Sequence, residues 1–84
     1  MRGQTNLKLQ RLNLELNATN EQIVVLTRAI CTAEEELKRL SSLPRTKENL
    51  LSYKQISNRH KTLKNELRKN VNKRNKTLMM LSRY

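Results

Sequence analysis

LQRLNLELNATNEQIVVLTRAICTAEEELKRL, running from Leu9 to Leu40, decides the fold. Steps of three and four pick out Leu9, Leu12, Leu16, Thr19, Ile23, Leu26, Ile30, Ala33, Leu37 and Leu40. The alternation holds for about four and a half heptads, and nine of its ten positions are apolar. Thr19 departs, but its methyl group tolerates burial. A 3.5-residue period lays one apolar seam along a helix, and that seam must bury itself against another helix.

Helix 1 is expected over residues 6–40. Gly3 discourages an earlier start, so Met1 to Thr5 are expected to fray. No Pro or Gly interrupts the helix. Glu34 and Glu35 precede Lys38 and Arg39 by four residues, the favourable order for helical ion pairs, and the two bases suit the helix C-terminus. A second apolar line of Leu7, Leu14, Ala18 and Val25, flanked by Val24 and Cys31, lies off the seam. Two-stranded coils keep such outer positions polar, so this line points to a second neighbour, as in a three- or four-helix bundle.

Ser41-Ser42-Leu43-Pro44-Arg45-Thr46 is the break, a loop over 41–46. Pro44 drives Leu43 out of the helical region and is welcome in the first turn of a following helix. Ser42 or Thr46 can cap that helix, with Glu48 in its first turn. Helix 2 is expected over 46–83, with a seam of Leu50, Tyr53, Ile56, His60, Leu63, Leu67, Val71, Arg74, Leu78 and Leu81. Two successive fours around Leu67 form a stutter in that seam. Folded back so that paired residue numbers sum to about 87, the seams match in bulk: Leu37 with Leu50, Ile23 with Leu63, Leu9 with Leu78, and Thr19 with Leu67.

The fold class is therefore all-α. One unit spanning 1–84 forms an antiparallel two-helix hairpin with a heptad, coiled-coil seam, and it completes a larger helical bundle by oligomerisation or with a partner. Eighty-four residues without Trp or Phe build little core alone, which also favours association.

The formal charge of +11 is one-sided. Residues 1–43 hold six Lys/Arg against five acids, whereas residues 46–84 hold eleven against Glu48 and Glu66. An excess of +9 over 39 residues goes beyond what solubility asks, and favours a polyanion or an acidic protein surface. Lys61, Lys64, Arg68, Lys69, Lys73 and Lys76 avoid the seam and are the candidate contacts. Lys54, Lys61 and Arg68 recur every seven residues, as do Lys69 and Lys76, a spacing that can follow phosphates or an acidic groove. No aromatic side chains interleave with them for base stacking.

Chemistry beyond binding has little support. His60 is the one histidine and lies on an apolar line, where a snorkelling or hydrogen-bonded core role fits better than catalysis. Glu34-Glu35-Glu36 lack metal-ligand spacing, Gly3 alone cannot form a phosphate cradle, and Cys31 alone cannot staple the fold. Cys31, beside the seam, is expected to be a partly buried thiol. No apolar run reaches membrane-spanning length, and no signal-peptide core appears. The expectation is a non-catalytic subunit without cofactor or metal. Its compartment would be intracellular: cytoplasm, cytoskeleton or nucleus. Its partners would be other helical subunits or a second copy, with an acidic filament as docking surface. The alternative is a helical hairpin that binds nucleic acid without reading its sequence.

Overall fold

A computed structural model describes residues 2–84, with side chains from Asn6 onward. Its described residues form two helices and no strand: α1 over Arg2–Ser41 and α2 over Lys47–Leu81. They pack antiparallel as a rod of 66 × 15 × 14 Å, two helices thick throughout. α1 begins before Asn6, with Gly3 inside its first turn. The fraying expected at Met1 lies outside the described residues.

The reversal is built from backbone and side-chain hydrogen bonds together. The peptide nitrogens of Ser42 and Leu43 donate to Arg39 and Leu40 carbonyls, both at 3.2 Å, which closes α1 tightly. Pro44 then has no N–H with which to continue the helix. Thr46, one of the two expected caps, is extended at φ −80° and ψ 160°, and its hydroxyl accepts from the Asn49 N–H at 3.2 Å. The Asn49 amide donates in turn to the Pro44 carbonyl at 2.9 Å. No described residue takes a positive φ, so the chain turns without glycine.

Every seam position of α1 from Leu9 to Leu40 is buried or half-buried, in the expected 3-4 alternation. Leu26, Ile30, Ala33 and Leu40 are the buried apolar residues of the core. Thr19 is only 3% exposed, and its hydroxyl donates to the Glu15 carbonyl at 2.7 Å. That bond satisfies the hydroxyl within its own helix, so its burial costs little.

α2 departs from expectation at both ends. Leu50, Tyr53 and Leu78 stand outside the seam, with Leu50 54% and Leu78 45% exposed. Asn49 and Ser52 turn inward near the loop, and Thr77, 3% exposed, replaces Leu78. Asn70 shares its level with Val71, both half-buried. The line Leu63, Leu67, Asn70, Arg74, Thr77, Leu81 keeps an unbroken four-three alternation, whereas a line through Val71 and Leu78 breaks it. The successive fours sit around Ile56 instead, between Ser52 and His60. Short polar residues can take these places because they satisfy themselves locally. The Thr77 hydroxyl donates to the Lys73 carbonyl at 3.0 Å, and the Asn70 amide to the Glu66 carbonyl at 2.9 Å. Across the seam, Glu15 lies 4.0 Å from Lys73 and Glu34 lies 3.8 Å from His60.

Candidate interaction surface

A two-helix rod has one thin core and leaves two outer faces. The face of α1 turned away from α2 carries the second apolar line. Leu7, Leu14, Ala18 and Val25 are all exposed, Leu14 at 69%. Val24 is exposed beside them, and so is Cys31, which corrects the expectation of a partly buried thiol. Cys31 follows Ile30 by one residue, and a helix turns about 100° per residue, so burying Ile30 carries Cys31 outward.

On α2 all six candidate contacts, Lys61, Lys64, Arg68, Lys69, Lys73 and Lys76, are exposed. Two of them have acidic neighbours. Lys69 lies 3.7 Å from Glu66 on its own helix, and Lys73 reaches across to Glu15. Neither pair is close, and exposed pairs of this kind contribute little to stability. Lys61, Lys64, Arg68 and Lys76 form no ion pair among the described residues. The basic side chains therefore stand in solvent around a helix whose inward line they avoid. Such an array attracts an anionic surface over roughly a Debye length, about 8–10 Å in ordinary salt.

The acidic turn of α1 is engaged locally. The Arg39 guanidinium hydrogen-bonds the Glu36 carboxylate, holding it below the usual carboxylate range. The same interaction raises the Arg39 pKa further, so both groups stay charged. Among the described residues no three His, Cys, Asp or Glu side chains come together as a metal-binding group.

Among the described residues, two polar atoms inside the seam have no hydrogen-bond partner: His60 Nε2 and Arg74 Nε. The nearest acid to His60, Glu34, is beyond hydrogen-bonding reach at 3.8 Å. Both side chains are half-buried, with stems lying across the apolar seam. Sequence spacing placed both on the inward line.

The ends of the rod are apolar as well. Leu43, Leu50, Leu51 and Tyr53 are exposed near the loop, and Leu78, Met79, Met80 and Tyr84 at the open end. The loop-end group was missed because Leu50 and Tyr53 were expected inside the seam. The signal that could have found it was spacing, since steps of four and three back from Ile56 reach Ser52 and Asn49. No helix among the described residues is long and apolar enough to cross a membrane. Comparison of the chain with protein-family models, curated proteins and solved structures gives no match.

Proposed function

We propose that this chain is a non-catalytic docking subunit of a larger intracellular assembly, its two helices held by a coiled-coil seam. The observation that carries the reading is the division of labour between the helices. α1 spends its seam on α2 and keeps an exposed apolar outer line, while α2 exposes its basic side chains. A surface of the first kind takes another helix, and one of the second kind takes an acidic surface. The acidic surface this reading favours is that of a protein filament or complex, such as a cytoskeletal lattice. Nucleic acid is the competing polyanion, favoured by the seven-residue recurrence of Lys54, Lys61 and Arg68.

Salt separates the two. The chain is titrated against an acidic filament and against duplex DNA at low and physiological salt. The docking reading expects filament binding that weakens only gradually with salt, because a protein surface carries a less dense layer of condensed counterions than a duplex. Phosphate binding falls steeply over the same range because counterions are released as each phosphate is neutralised. Duplex binding alone, with that steep slope, gives the assignment to nucleic acid. Binding to neither removes the polyanion role of α2.

A further inference from the structure

The outer line of α1 is complementary to its own reverse. Steps of four and three from Leu7 pass through Arg11, Leu14, Ala18, Glu21 and Val25. All six side chains are exposed and lie away from the seam. About residue 16 the line is self-complementary. Nine residues either side stand Leu7 and Val25, five either side Arg11 and Glu21, and two either side Leu14 and Ala18. Each pair matches: apolar with apolar, base with acid, large with small.

A two-fold interface requires this property, because each residue meets its counterpart from the opposite half of the same patch. We propose that α1 pairs antiparallel with α1 of a second copy of this chain, around a two-fold axis that crosses its outer face at the level of residue 16. Leu7 then covers Val25 of the second copy, Leu14 fills the space left by Ala18, and Arg11 pairs with Glu21, each pairing made twice. The inference deepens the docking reading by naming one occupant of the outer line.

Charge chooses a second copy through α1 and not through α2. Between Leu7 and Val25 the bases Lys8 and Arg11 balance Glu15 and Glu21. α2 is strongly basic and would repel its own kind. Pairing the outer faces of α1 gives a layer of four helices with the two α2 on its outside. At about 9 Å per helix spacing they stand roughly 27 Å apart, several Debye lengths. The basic faces remain free for an acidic surface, now doubled. The interface is short, about 27 Å of helix, which places it at the small end of specific interfaces. Dissociation on the order of tens of micromolar is expected.

Sedimentation equilibrium over about 1–500 µM tests this, with circular dichroism confirming the fold of each variant. Wild type should pass from monomer to dimer. Arg11→Glu and Glu21→Arg each oppose like charges twice and should raise the dissociation constant about tenfold or more. The double variant R11E/E21R should restore dimerisation. Cys31 is exposed and lies about 9 Å along the helix beyond Val25, outside the pairing, so a nitroxide on wild type reports the direction. An antiparallel pair centred on residue 16 separates the two labels by about 45 Å, a parallel pair by about 10–20 Å. A wild type monomeric to 500 µM overturns the proposal, as does a short label distance or a folded double variant that stays monomeric. The docking reading survives each of these failures, because filament binding is measured separately.

Discussion

The loop half and the open half of the hairpin are built on one repeat and packed unequally. From Leu26 to Leu40, α1 buries Leu26, Ile30, Ala33 and Leu40. From Leu9 to Ile23 the one buried side chain is Thr19, and Leu9, Leu12, Leu16 and Ile23 are half-buried. On the other helix polar residues turn inward in both halves, in the loop half at Asn49, Ser52 and His60. In its distal part α2 turns Asn70, Arg74 and Thr77 inward. Thr77 and Asn70 bond to their own helix, so their burial is tolerated, but such bonds add nothing between helices. The halves differ in α1, which buries four apolar residues in the loop half and none among the described residues of the open half, while the open half of α2 contains Arg68, Lys69, Lys73, Arg74 and Lys76. Apolar burial is concentrated near the loop, and on α2 the basic side chains crowd towards the open end.

That contrast can be broken most forcefully in the loop half. Leu26→Ala or Ile30→Ala should cost about 2–4 kcal/mol in chemical denaturation. Leu16→Ala, half-buried in the open half, should cost about 1–2 kcal/mol. Equal losses at both sites would mean that the halves are equally packed. Native-state amide exchange should agree, with slower exchange from Leu26 to Leu40 than from Leu9 to Leu16. Thr46→Ala removes the cap that starts α2 and should cost about 1 kcal/mol. Its effect belongs to the loop, so it should speed exchange in the first turns of α2 before it does so at the open end. The smallest effect is expected at Leu50 and Leu78. Replacing either with Ala should shift stability by under about 0.5 kcal/mol, as befits exposed positions. A loss near that of Leu26→Ala would return them to the seam.

The two helices were legible in the sequence because α1 writes its seam in apolar residues and Pro44 marks the break between them, whereas the choice between hairpin and kinked rod stayed open. α2 was harder to read because its seam is partly polar. Following the large apolar residues led to Leu50, Tyr53 and Leu78, whereas the chain buries Asn49, Ser52 and Thr77 more deeply. Spacing was the better guide there, since hydroxyl and amide groups that bond back four residues can sit on an inward line. The exposed apolar line of α1 and the basic positions of α2 were legible for the same reason: each is displaced from a seam of known phase. The match between Arg11 and Glu21 became visible only with α1's outer face fixed as a surface.

If α2 docks through charge while the seam holds the fold, one triple variant separates the two roles. Lys69, Lys73 and Lys76 are exposed, so replacing all three with Gln should leave helicity and the melting transition nearly unchanged. Wild type and variant are titrated in parallel against the acidic filament and duplex DNA at two salt concentrations. The predicted result is weaker binding by the variant to whichever polyanion wild type binds. If that polyanion is DNA, the salt slope falls by about one for each phosphate no longer neutralised. Equal binding by the two proteins, with the fold intact, would contradict docking through charge and leave the basic face of α2 merely solvated.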